Sequence, residues 1–127
     1  MFVGHIALAL AAKRAAPRTN LGLLTLGAQW ADVLWPVLVL LGIERVEVRP
    51  GVTVMTPLDF VSYPWSHSLL MLVAWGGLAF LIYRRAGGQH AAFVLGALVV
   101  SHWLLDALTH RPDMPLVPAA GPLVGLG

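Results

Sequence analysis

The sequence has no cysteine. That absence excludes disulfides, zinc ribbons and thiol nucleophiles together. Charge is nearly as scarce: 11% of the 127 residues are Asp, Glu, Lys or Arg, where a soluble domain carries about 25%. Hydrophobic residues make up 58% before the 13 glycines are counted. A chain of this size cannot cover a water-facing surface with so few polar groups, so an ordinary soluble domain, a disordered chain and a coiled coil are excluded. The net charge of +2 rests on few groups and points to no nucleic-acid partner. What is left is one small integral membrane domain.

Runs of about 20 apolar residues cross the ~30 Å of bilayer hydrocarbon. Three are present, at 21–43, 66–83 and 91–108. A shorter one, about 2–16, ends in Lys13 and Arg14. Basic residues follow that first run instead of preceding it, which is unlike a signal peptide. The segment is either a short membrane anchor or a helix that delivers His5 to a site. The expected architecture is all-α: three clear transmembrane helices and a shorter N-terminal helix in a small bundle. Lys13, Arg14, Arg18, Arg84 and Arg85 fall in the short loops of one side, which is then cytoplasmic. The loop 44–65 and the tail after Leu108 face outward. A bundle this thin shields its polar groups poorly, and a homodimer is expected.

Within the outer loop, Arg45 to Arg49 alternates polar and apolar like an exposed strand. Pro50-Gly51 reads as a turn, after which Val52-Thr53-Val54 would pair back. Such a ribbon is marginal alone, so the segment is read as a loop over the outer surface. The apolar ending after Pro122 reads as the truncated start of a further segment.

Ionisable groups inside an apolar span are costly, about 2.5–3.5 kcal/mol for an Asp near a helix centre. Yet Asp32, His102 and Asp106 lie inside the runs, with His5, His67 and His110 in or beside them. His90 reads as a solvated loop residue. Orientation was assigned from Arg and Lys alone, and it nevertheless gathers these four histidines and two aspartates on the outer side. His102, Asp106 and His110, spaced i, i+4 and i+8, share a helix face. A His and an Asp at i, i+4 can ligate one ion. No basic residue lies within a span to pair with the aspartates, which points to a metal or to protons. Ser66 and Ser101, each before a histidine, either support it by a hydrogen bond or bond back to their own helix.

These residues resemble the YdjM-type family of bacterial membrane-bound metal-dependent hydrolases. The resemblance rests on four features: His5 in a short N-terminal helix, Gly27-Ala28 followed at Asp32 by the acid, Ser66-His67-Ser68, and Ser101-His102 followed by Asp106 and Thr109. It covers most of the chain. That family is similar in turn to the all-helical zinc-dependent phospholipase C and single-strand nuclease superfamily. The resemblance implies a main metal held by Asp32, His67, His102 and Asp106. It also implies a neighbouring ion near His5 bridged by Asp106, with His110 a looser ligand. The superfamily's N-terminal tryptophan ligand and second His-x-x-x-Asp motif are missing, which argues against three metals.

The expected activity is hydrolysis of a phosphoester or lipid-like substrate, with one or two Zn²⁺ ions, from the extracytoplasmic side of a bacterial inner membrane. Asp32 and Asp106 are the expected catalytic carboxylates. Arg111 either steadies a phosphate or snorkels at the interface. The alternative is a non-enzymatic membrane protein, conducting protons or ions through its Asp and His groups or serving as a structural partner.

Overall fold

The computed structural model describes residues 2–52, 57–119 and 121–127. Among the described residues five helices carry the fold: α1 (Phe2–Ala15), α2 (Leu21–Ala28), α3 (Trp30–Leu40), α4 (Pro64–His67) and α5 (Leu69–Thr109). Two short antiparallel pairs complete it, β1 (Arg45–Val48) with β2 (Leu58–Ser62), and β3 (Met114–Pro115) with β4 (Leu123–Val124).

Three clear transmembrane helices are not present. Among the described residues only α5 is by itself long and apolar enough to cross a membrane. The apolar run 21–43 is broken at Gln29: α2 and α3 meet at 59° and pass the same test only if counted together. Pro36 lies inside α3, where it removes one backbone donor. The two runs expected at 66–83 and 91–108 belong to the single element α5. Its break is Gly88, at φ 79° and ψ 166°, a conformation glycine adopts without a Cβ clash. There the chain folds back, so that the two arms of α5 lie against one another. A Cβ on Gly76 would come 2.7 Å from the Gly96 carbonyl oxygen, and the reverse holds equally. Hydropathy reports how apolar a stretch is and carries no information on where it bends.

Side-chain choice explains the ends of these elements. Asn20 caps α2 by accepting from the Gly22 amide at 2.8 Å. Pro64 begins α4 at the position where a missing N–H does no harm. Ser68 is extended, ends α4 and caps α5 through Met71. The core has two parts. Ala9, Leu24, Ala28 and Leu98 pack α1 and α2 onto α5. Leu72, Val99, Trp103, Tyr63 and Met114 pack the two arms of α5 under the outer loops.

Two further expectations are corrected. The exposed strand at 45–49 does pair, but with Leu58–Ser62; the partner expected at 52–54 falls largely outside the described residues. His90 is exposed yet helical, and its Nε2 lies 3.0 Å from the Ala15 carbonyl. That contact brings the end of α1 and the turn of α5 to one end of the molecule. The apolar ending 122–127 packs back onto the end of α5. It pairs as β4, and the Leu126 and Gly127 amides donate to the Ala107 and His110 carbonyls at 2.9 and 3.0 Å. These are carbonyls that the last turn of a helix leaves without partners.

Candidate metal centre

Five of the six expected ligands meet in one buried cluster at the end of the molecule opposite His90. α1 supplies His5, α3 Asp32, α4 His67, and α5 both His102 and Asp106. Asp106 lies between two histidines, with Oδ1 3.0 Å from His5 Nε2 and Oδ2 3.2 Å from His102 Nε2. The Nε2 atoms of His67 and His102 each stand 3.7 Å from Asp32 Oδ1. His110 sits at the rim, past the end of α5. Its Nε2 is 3.9 Å from Asp106 Oδ2 and its Nδ1 is 3.2 Å from Asp113.

The surroundings engage Nδ1 of both central imidazoles. His102 is fully buried, and its Nδ1 is 2.8 Å from the Ala28 carbonyl oxygen. A carbonyl only accepts, so Nδ1 donates and Nε2 is the atom left for a ligand. Among the described residues that Nε2 has no hydrogen-bond partner. Ala28 ends α2 at the 59° bend, where helix carbonyls lack partners in their own turn. The bend that breaks the apolar run therefore also exposes the acceptor that orients His102. On the other side, His67 Nδ1 is 2.7 Å from Ser66 Oγ. Burial pushes the His67 imidazole below its ordinary pKa, against the pull of Asp32, and so favours the neutral ring.

These donors fit a metal ion. Two ligands about 2.0–2.1 Å from one tetrahedral ion stand roughly 3.3 Å apart, close to the spacings of 3.2 and 3.7 Å in the cluster. The His67 and His102 rings meet at 70°, so their in-plane lone pairs can converge. His5 and His102 are arranged otherwise. Their rings are stacked, 3.8 Å between centroids and 7° between planes. Lone pairs lie in the ring plane, so those of the two stacked rings run side by side. The buried groups are thus close enough to hold a metal ion, either as Asp32, His67 and His102 or as His5, His102 and Asp106. Asp106 Oδ2 lies beside the first set, 3.2 Å from His102 Nε2. His5 then supports Asp106 from behind.

Arg111 is engaged elsewhere. Its guanidinium bonds Asp113 at 2.9 Å and Asp59 at close range, which leaves it poorly placed to hold a phosphate. Asp113 also accepts from the Tyr63 hydroxyl at 3.0 Å. Burial would raise the Asp113 carboxyl, but the bonds from His110, Arg111 and Tyr63 outweigh it and hold the group below its usual range. Tyr63 is pushed up by burial and by the charge of Asp113.

Two residues read differently from their sequence context. Ser101 donates back to the Leu98 carbonyl at 2.7 Å and takes no part in the cluster. Glu44, counted in the sequence as an outer-loop charge, is 3% exposed. Its carboxylate accepts from the Ser66 hydroxyl at 2.7 Å and from the amides of Trp65 and Ser66, both at 2.8 Å. An acidic residue just after an apolar helix, in a chain with so few charges, was the one signal available.

In comparisons with known proteins, no family model, no curated sequence and no solved structure matches the chain. Hydrolysis and zinc thus gain no support from relatives, and the functional reading rests on the cluster.

Proposed function

We propose that the protein is a metal-dependent hydrolase of the kind its motifs resemble. One observation carries the reading. Two buried imidazoles, His67 and His102, each bring Nε2 to 3.7 Å from the Asp32 carboxylate, while Nδ1 is engaged by Ser66 Oγ in His67 and by the Ala28 carbonyl in His102. Two imidazole nitrogens converging on one carboxylate oxygen offer a cation three ligand atoms at once. Neutral imidazoles with carboxylates suit Zn²⁺, which is the ion we propose.

When bound, the ion supplies a water of lowered pKa and polarises the oxygen of the scissile ester. The chain's own residues do the rest. His67, His102 and Asp106 hold and orient. Asp32 is the partly open member, its side chain 36% exposed, so it faces the entrance and is placed to take a proton from the attacking water. His5 donates to Asp106 and keeps that carboxylate in place.

A lipid-like phosphoester is the substrate class the surroundings favour. An apolar groove of about 210 Å³ is lined by Leu26, Trp30, Trp75, Leu78, Ile82 and Val99, and by none of the cluster residues. Val99 is one helical turn from His102, and Trp30 is two residues from Asp32. α5, the helix long and apolar enough to cross a membrane, forms much of its wall. The basic residues Lys13, Arg14, Arg18, Arg84 and Arg85 belong to the end marked by the His90 contact, which supports reading the cluster as extracytoplasmic in a bacterial inner membrane.

Metal analysis of the full chain purified in detergent tests the reading, together with cleavage of a chromogenic phosphodiester before and after chelation. About one transition-metal ion per chain and cleavage abolished by chelator are expected. Metal-free protein that moves protons across proteoliposomes would establish the rival, a proton path along His5, Asp106 and His102.

A further inference from the structure

We propose that Glu44 is a positioning residue for the metal centre: through Ser66 it dictates which nitrogen of His67 carries the hydrogen. The argument is a count of donors and acceptors along a buried chain. Glu44 Oε1 is filled by two backbone amides, of Trp65 and Ser66. Its Oε2 stands 2.7 Å from Ser66 Oγ. A carboxylate can only accept here, so the single hydroxyl hydrogen of Ser66 points at Glu44. The other Ser66 contact, the Tyr63 carbonyl, is longer at 3.4 Å and is also an acceptor. With its hydrogen committed, Ser66 Oγ can only accept from His67 Nδ1 at 2.7 Å. Nδ1 therefore carries the hydrogen, and Nε2 is left bare toward Asp32.

All three side chains are at least nine-tenths buried, so water does not offer an alternative partner. Direction runs one way, from carboxylate to serine to imidazole, and the metal-facing atom is set by a residue 23 positions earlier in the chain. Outer partners of this kind are typically worth roughly 10–100-fold in metal affinity.

Glu44→Gln reverses the relay while keeping its shape. The two backbone amides need an acceptor, so the glutamine oxygen faces them and its NH₂ faces Ser66. Ser66 must then accept from Gln and is free to donate to His67 Nδ1. The imidazole hydrogen moves to Nε2, which can no longer ligate.

The experiment is a pair of measurements on the full chain in detergent. Long-range ¹H–¹⁵N spectra of metal-free protein labelled with ¹⁵N-histidine read the tautomer directly. Competition with a chromophoric chelator reads Zn²⁺ affinity. The wild type should show His67 protonated at Nδ1. Glu44→Gln should shift it toward Nε2 and weaken Zn²⁺ binding by roughly 10–100-fold. Ser66→Ala leaves both backbone bonds of Glu44 in place and serves if the glutamine variant fails to fold; it should give a tautomer mixture and a loss in the same direction. Ser101→Ala should change neither reading. His67 held at Nδ1 in the folded variants, or affinity within twofold of wild type, overturns the proposal. The affinity arm rests on the metal reading, whereas the tautomer arm does not. A tautomer shift in a protein that binds no Zn²⁺ would support the role of Glu44 and overturn the metal centre alone.

Discussion

Two charged regions lie within a few residues of one another at the outer end of the molecule, and they are built on opposite plans. In the rim, guanidinium groups answer the carboxylates. Arg111 spans Asp59 and Asp113, and Arg49 spans Glu47 and Asp59. In the cluster, carboxylates are answered by imidazoles: Asp32 by His67 and His102, and Asp106 by His5 and His102. An arginine brings a permanent charge and a fixed set of donors. A histidine with one nitrogen committed brings a lone pair. The rim is therefore self-sufficient, while the cluster is shaped to receive something, and the contrast can be broken from either side.

The largest expected effect comes from the cluster. His102→Ala removes the ligand common to both candidate sets and should lower metal affinity by more than about 100-fold, beyond the range for an outer partner. Binding to three separate elements makes that affinity part of the folding energy, so thermal unfolding in detergent should fall as well. His90→Ala should leave metal content unchanged. Full metal occupancy in His102→Ala would erase the distinction between the two regions.

Arg111→Ala should have a smaller effect. The side chain is 39% exposed, and ion pairs in such settings contribute at most about 1 kcal/mol. Chemical denaturation should show a loss within that bound, shrinking as salt is added, with metal content unaltered. A loss of metal would mean that the rim serves the cluster after all.

The smallest effect concerns pH. Burial acts to raise the Asp113 carboxyl, but its bonds to His110, Arg111 and Tyr63 lower it overall. A lowered carboxylate contributes stability above its unfolded value of about 3.9 and loses it as the pH falls through the folded value. Unfolding temperatures measured between pH 6 and pH 3 should therefore drop more steeply for wild type than for Asp113→Asn. Parallel curves would show that Asp113 is not held as the geometry implies.

The cluster was legible in the sequence because of what surrounds it. His5, Asp32, His67, His102 and Asp106 stand out against apolar runs where such groups are expensive, and the i, i+4 spacing of the last pair survives in α5. The rim was not legible. Arg111 reads as free until Asp59, 52 residues earlier, is brought against it. Glu44 reads as a loop charge until Trp65 and Ser66 arrive from 21 and 22 positions away. The helix count failed for a related reason. The bend at Gln29 and the fold-back at Gly88 change direction without changing composition, and a composition window sees only the latter.

The pairing of His5 with Asp106 joins positions 101 residues apart, and this sets a schedule for biosynthesis. At roughly 5–20 residues per second, His5 is made some 5–20 s before Asp106. Through that interval the emerging chain gains Asp32, then His67, then His102, and never the full set. If the cluster takes a metal as proposed, capture is a late event, after α5 has been made and has folded back at Gly88. A nascent chain would pass metal scavengers and chaperones with its ligands dispersed, and the ion would arrive as the final part of assembly.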